Sequence, residues 1–337
     1  MTRKFAFGLV LAAALVGCGD DDGGGTTDSG PRTDTGVPTP PTPPGPDTGV
    51  PTPPTPPDPP GNETYDYVVN LLEIGQASAS NPDEAPGYDL DDHNTQMESD
   101  PIGCGWTDFT APAQFGGGAG VDNQLGPLLE MISSLGLDFD ANGTIAENIA
   151  MGDLLLLIRV TGVGDIENDG NVTVQFYLGQ LAEGQTPMLD GMMRLSSGQT
   201  FLVDPASVMG SIDSPRIQFS NAVIANGRLS GGPALFSLMV PLGDMGNLDL
   251  DVQQAQVGFD ITETSLSNGL VGGFVDVDDI VTAITNLMLD IMIPVETVRS
   301  ILEGQADIDG DGDTECEALS VGLVFNGVEA SFTALGM

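Results

Sequence analysis

Proline is concentrated in one part of the chain, and this limits where the chain can fold. Fourteen of the 25 prolines lie in the range Pro31–Pro60, where residues 34–46 repeat almost unchanged as residues 47–59. Proline fixes φ and removes the N–H donor, so this stretch enters neither a helix nor a sheet and is expected to run as polyproline II. At about 3.1 Å per residue it reaches roughly 90 Å. Residues 18–61 are therefore expected to form a stalk, and residues 62–337 one globular domain.

The N-terminus has the features of an export signal. Two basic residues precede the uncharged run Phe5–Val16, which reaches only about 18 Å as a helix, against roughly 30 Å for the hydrocarbon core of a bilayer. That length is typical of a secretory signal peptide, here residues 1–17. The run ends in Leu-Val-Gly-Cys, which is similar to a bacterial lipobox and implies that Cys18 is lipidated. An incidental cysteine after an ordinary signal peptide is the alternative.

Residue 19 bears on the destination of the exported chain. It is Gly and not Asp, which in a Gram-negative cell resembles a lipoprotein sent on to the outer membrane. The sequence therefore predicts attachment to a membrane through the N-terminal lipid and a location in the cell envelope.

The charge excludes one class of partner. Acidic residues number 49 and Lys plus Arg only 8, for a formal net charge of −41, so the chain has too few cations to neutralise the phosphates of a nucleic acid. At 40% hydrophobic residues the chain can still bury a core.

Short apolar and alternating runs between Gly, Asn, Asp and Pro predict a mainly β fold, a single sandwich-like domain with two or three short helices. The strands are expected at residues 66–74, 154–162, 171–181, 199–203, 216–225, 234–240, 248–261 and 320–332, and the helices at residues 123–135, 276–290 and 294–302.

The most specific motif is an acidic run near the C-terminus. Carboxylates at alternate positions with Gly at the sixth are typical of a loop that wraps Ca²⁺, a hard cation that takes six to eight oxygens. The predicted ligands are Asp307, Asp309, Asp311, Asp313 and Glu315. The twelfth position is Ala318 where an EF-hand has Glu, so the last ligands must come from elsewhere, Glu317 or another loop. The alternative is a solvated acidic turn.

Two weaker copies of this spacing occur. Residues 138–145 match it, with a helix start or a loop as the alternative, and residues 165–170 match it more loosely, with a tight hairpin turn as the alternative.

Cys104 and Cys316 are the two thiols left after lipidation, and an even pair in an exported domain suggests a disulfide. Two free buried thiols are the alternative.

Signals for catalysis are weak. His93 is the single histidine, no Gly-x-Ser-x-Gly elbow or phosphate loop occurs, and we lean toward a protein that is not an enzyme. A glycosidase-type carboxylate pair stays open, and it predicts a concave cleft with two carboxyl groups about 5 to 10 Å apart, one of them with a raised pKa.

Three segments carry a resemblance to known proteins: residues 120–126, residues 154–160, and the ending from Asp309 through Leu323. Together they resemble a group of exported lipoproteins of myxobacteria and their relatives, over most of residues 62–337. The resemblance implies the compartment and no catalytic residues.

Two functions follow from the sequence as hypotheses. The first is a lipid-anchored, surface-displayed β-rich binding or structural module that Ca²⁺ stabilises and that has a periplasmic or extracellular ligand. The second is a tethered hydrolase that uses paired carboxylates.

Overall fold

The computed structural model describes residues 61–78, 80–95, 104–134, 140–241, 247–286, 294–312 and 315–336. Cys18, the stalk up to residue 60 and Asp313 lie outside the described residues. The described chain is mainly β, with 48% strand against 17% helix, in a single β-rich domain, which confirms the fold class expected from the sequence.

The strands are β1 (Glu63–Ile74), β2 (Phe109–Thr110), β3 (Ala119–Val121), β4 (Leu156–Val163), β5 (Asn168–Gln180), β6 (Gln199–Val203), β7 (Ile217–Ala225), β8 (Arg228–Pro241), β9 (Asn247–Ile261), β10 (Ser265–Asp276) and β11 (Ala318–Leu335). The helices are α1 (Leu125–Ser134), α2 (Ala141–Met151), α3 (Val277–Asn286) and α4 (Val295–Glu303). Four short helices are therefore present in the described residues, where two or three were expected. No helix in this part of the chain has the length and apolar character that crossing a bilayer requires.

The large sheet closes on itself. Its antiparallel neighbours run β1, β4, β5, β7, β8, β9, β10 and β11, and β11 then pairs with β1. Strand β6 pairs with both β5 and β11. Closure pairs the edges that an open sheet would expose. The two sheets of the expected sandwich are therefore opposite sides of one closed, hydrogen-bonded sheet.

The core between the two sides of this sheet contains an aromatic cluster. The ring of Phe176 on β5 lies 5.1 Å from that of Phe236 on β8 and 6.5 Å from that of Phe325 on β11, both edge to face. The three rings are almost fully buried. Each such ring contributes a large buried apolar area and a further stabilisation of about 0.5–1.5 kcal/mol from edge-to-face contact.

Strand β7 shows how alternation in the sequence places apolar side chains on the inner face of the sheet. Its buried and exposed positions alternate from Ile217 until Ser220 and Asn221, which are both exposed, and alternation then resumes. Asn221 has φ of +57°, and the register against β5 shifts in the same region. One extra residue in a strand has this effect, because it keeps the apolar positions on the inner face after the irregularity.

The strand prediction missed β10 and the small β2–β3 sheet, and the helix prediction missed α2. The two longer predicted helices end outside the described residues, since residue 135 and residues 287–290 are not described. Two of the missed strands matter for the site. Strand β3 ends beside a group of carboxylates, and strand β10 packs against the acidic loop.

Candidate metal centre

The acidic loop between α4 and β11 is closed at its base by a backbone bridge. Ile308 and Ala318 exchange N–H to carbonyl hydrogen bonds, at 3.1 and 3.2 Å. Both side chains are buried against Phe274 of β10 in a small apolar cluster. The bridge and this contact hold the two ends of the loop together, so that side chains on either side of it face each other.

Three carboxylates converge in this loop. Asp309, Asp311 and Glu317 each offer an oxygen, and these oxygens lie within 4.8 Å of one another. Oε1 of Glu317 accepts a hydrogen bond from the Gly310 N–H at 2.7 Å. Its Oε2 is buried and has no hydrogen-bond partner among the described residues. Burial and the neighbouring Asp311 and Asp309 raise the pKa of Glu317, whose charge is therefore stabilised poorly without a cation.

The predicted ligands divide between two environments. Asp309 and Asp311 belong to the loop cluster, and Glu317 completes it, while Glu315 is not among its three members. Asp307 lies on the other side of the bridge and is 8% exposed. Its carboxylate accepts hydrogen bonds from the backbone N–H and the hydroxyl of Ser320, and burial raises its pKa to about 7. The structure therefore does not bring Asp307 into the loop cluster.

A disulfide fastens this loop to another part of the domain. Cys104 and Cys316 are bonded, with their Cα atoms 5.8 Å apart and a sequence separation of 212. Cys316 directly precedes Glu317, and Cys104 lies two residues before Trp106. The bond therefore holds the segment around Trp106 beside the acidic loop.

A second group of carboxylates was not predicted. Asp89, Asp91 and Asp122 also offer oxygens within 4.8 Å of one another. Asp122 directly follows β3, and its N–H donates to the Tyr88 carbonyl at 2.9 Å. The Leu90 N–H in turn donates to Oδ2 of Asp122 at 2.8 Å. These two bonds bring the segment after β1 against the end of β3.

A small cavity opens beside Asp91 and Asp122 of this second group. Its volume is about 290 Å³, counting space open to solvent. The side chains that line it include four acids, the indole and two amides: Asp91, Asp108, Asp122, Asp307, Trp106, Asn123 and Gln124. No positively charged side chain is among the described residues that line it. The acids thus gather around Trp106.

Burial dominates the electrostatics of the cavity. It raises the pKa of Asp122 to about 9, and the nearby charges of Asp91, Asp307 and Asp108 act in the same direction. The hydrogen bond from the Leu90 N–H lowers it by less. Burial also raises the pKa of Asp89. A carboxylate in this position is stable when it carries a proton or faces a cation.

The two weaker motifs have structural roles in the described residues. Oδ1 of Asp140 accepts a hydrogen bond from the Gly143 N–H at 2.8 Å and caps the start of α2. This confirms the helix-start alternative for that motif. Asp169, at the start of β5, accepts hydrogen bonds from the N–H groups of Gly164 in the turn after β4 and of Asn171, which confirms the hairpin alternative for the other motif.

The fold and these sites define a mainly β domain with one disulfide and two acidic clusters that could hold a metal ion. No family model matches the chain, and neither a curated protein nor a solved structure matches it. The chain's own residues are the basis for proposing a function.

Proposed function

We propose that this chain is a lipoprotein, lipidated at Cys18 and attached to the outer membrane of a Gram-negative cell. Its acidic β-rich domain is a binding or structural module that Ca²⁺ stabilises. The observation that carries the Ca²⁺ part of the proposal is the convergence of Asp309, Asp311 and Glu317 in a loop closed by a backbone bridge and tied by a disulfide.

The ligand set favours Ca²⁺ over other common cations. All three side chains offer carboxylate oxygens, which suit hard cations, whereas zinc sites are built mainly from His and Cys. Ca²⁺ accepts irregular geometry and completes its six to eight ligands with carbonyl groups and water, while Mg²⁺ requires a near-ideal octahedron. The unpartnered Oε2 of Glu317 gains a partner when the cation binds.

Thermal melting tests the cation. The melting temperature of the purified full chain in detergent should rise in millimolar Ca²⁺ relative to chelator, because a ligand that binds the folded state stabilises it. Much of this difference should be lost in the Asp309→Asn/Asp311→Asn variant. The Glu147→Gln/Glu183→Gln variant removes the same charge at exposed positions outside both clusters and should keep it. Equal melting temperatures with Ca²⁺ and chelator would refute the cation.

Metabolic labelling tests the anchor. Cells that express the chain and take up an alkyne-tagged palmitate should label it in the membrane fraction. The Cys18→Ser variant should lose the label, and Cys104→Ser should keep it. Label that persists in Cys18→Ser would refute the lipid assignment.

A second candidate is a carboxylate hydrolase. The cavity beside Trp106 favours it, because buried acids with a raised pKa line this cavity. The size of the cavity counts against it, because its volume of about 290 Å³ includes space open to solvent, so the enclosed part falls well short of the roughly 300–1,000 Å³ of ligand pockets. Release of reducing sugar from polysaccharides that Asp122→Asn abolishes would establish this candidate.

A further inference from the structure

Methionine lies on the surface of this domain and not in its core. Methionine is ordinarily one of the residues that proteins bury. Among the described residues, however, no methionine is fully buried, and the buried apolar side chains are those of Leu, Ile, Val, Phe, Tyr and Ala. Five methionines are exposed instead: Met151, Met188, Met192, Met193 and Met209.

Three of the exposed methionines share the methionine loop, residues 181–198 between β5 and β6. The exposed fractions are 53% for Met188, 70% for Met192 and 65% for Met193. The loop therefore presents three thioether groups to solvent within six residues of sequence.

The same loop separates leucine from methionine. Leu195 is buried, Leu189 packs against the core, and the two residues form a backbone bridge. Leucine thus occupies the inward positions of the loop, and the outward positions carry methionine. Packing does not account for methionine at the outward positions, because an exposed side chain removes little apolar area from water.

Backbone groups and two polar side chains fix the positions of the three methionines. The Met193 N–H donates to the Asp190 carbonyl at 3.2 Å, and Oδ1 of Asp190 accepts the Met192 N–H at 2.8 Å. The Gln199 side chain accepts a hydrogen bond from the Met188 N–H and donates one to the Met188 carbonyl. None of these bonds uses a thioether, so a chemical change at the sulfur atoms leaves them in place.

We propose that the methionine loop is a site of oxidative modification, at which hydrogen peroxide converts Met188, Met192 and Met193 to methionine sulfoxide while the domain stays folded. Exposed thioethers are accessible to oxidants, and the sulfoxide is a polar group that disrupts a core. An exposed position accepts this polar group. The proposal goes beyond the proposed function and depends on neither the cation nor the lipid.

The reaction needs only the thioether and the peroxide. The sulfur atom attacks one peroxide oxygen, so that an S–O bond forms and the O–O bond breaks. The proton of the transferred hydroxyl goes to the departing hydroxide, which leaves as water. The sulfur is oxidised and the peroxide is reduced by the same electron pair.

Peroxide treatment of the full chain with its disulfide intact, followed by tandem mass spectrometry of its peptides, tests the proposal. The mass gain of one oxygen atom should appear at Met188, Met192 and Met193 several-fold faster than at Met131, which is partly buried and packs against the core. The oxidised chain should keep the circular dichroism and the melting temperature of the untreated chain.

Two variants separate the loop from the rest of the chain. Met188→Leu/Met192→Leu/Met193→Leu should consume about three fewer peroxide molecules per chain and should fold, because leucine and methionine have similar volumes. Met131→Leu is the matched control and should leave oxidation of the loop unchanged.

The outcomes decide the proposal. Selective oxidation of the loop at an unchanged melting temperature supports it. Loop methionines that react no faster than Met131 would overturn it, as would a melting temperature that falls when they alone are oxidised. Peroxide consumption equal in the triple variant and the wild type would overturn it as well.

Discussion

Neighbouring acids in one short run have opposite environments, because a backbone bridge lies between them. Asp307 precedes the bridge residue Ile308 and is held by Ser320, while Asp309 follows it and faces Glu317. The alternation of carboxylates predicts both as ligands of one ion. Spacing alone does not show that Ser320 lies beside Asp307, and its two hydrogen bonds hold the Asp307 carboxylate outside the loop cluster.

Ser320 is the residue on which this division depends, and replacing it should be costly. It is fully buried, its hydroxyl donates to Asp307, and its Oγ accepts the Gln124 N–H at 2.7 Å. Ser320→Ala leaves two buried groups without this partner and should lower the free energy of unfolding by about 1–3 kcal/mol. Urea denaturation measures this free energy of unfolding. Ser331→Ala, at an exposed position of the same strand, should change it by less than about 0.5 kcal/mol, and equal effects of the two would contradict the role of Ser320.

At the scale of elements, most of the long strands are predictable because their apolar residues alternate or run together, and they differ from the expected bounds by a few residues. Strand β10 was missed because glycine weakens the pattern. The glycines are needed for close packing: a Cβ at Gly269 would lie 2.6 Å from the ring of Phe325, and one at Gly273 would lie 2.4 Å from the Gln253 carbonyl. This requirement comes from tertiary contacts and is not visible in the local sequence.

Gly269 should therefore not tolerate a methyl group. Gly269→Ala forces the buried ring of Phe325 to move and should destabilise the domain by about 1–3 kcal/mol. The matched control is Gly118→Ala, since a Cβ there meets no atom within 4 Å. Chemical denaturation of both variants checks this, and a Gly269→Ala protein as stable as the control would contradict the packing.

At the scale of the whole molecule, closure and the disulfide bring distant segments together. The loop cluster was largely predictable, because its members lie within nine residues of each other. The cavity cluster was not, because Asp122 is far in sequence from Asp89 and Asp91, and the contact needs the bridge between Tyr88 and Asp122. The gathering of acids around Trp106 follows from the same long-range contacts.

Removing the disulfide should affect both stability and cation binding. The bond closes a loop of 212 residues, and its loss in Cys104→Ser/Cys316→Ser should cost about 2–5 kcal/mol of unfolding free energy. Because Cys316 adjoins Glu317, the affinity for Ca²⁺ should fall as well. Denaturation and Ca²⁺ titration of this double variant measure the two effects, and a wild-type affinity would contradict the link between the disulfide and the loop site.

Calorimetric titration of Ca²⁺ into the chelator-treated full chain tests the central claim most directly. The account predicts about one Ca²⁺ ion bound per chain in the acidic loop, lost in Asp309→Asn/Asp311→Asn and kept in Glu147→Gln/Glu183→Gln. A wild-type chain that is folded, with its disulfide intact, and that binds no Ca²⁺ at millimolar concentration would contradict the claim that the acidic loop holds a cation.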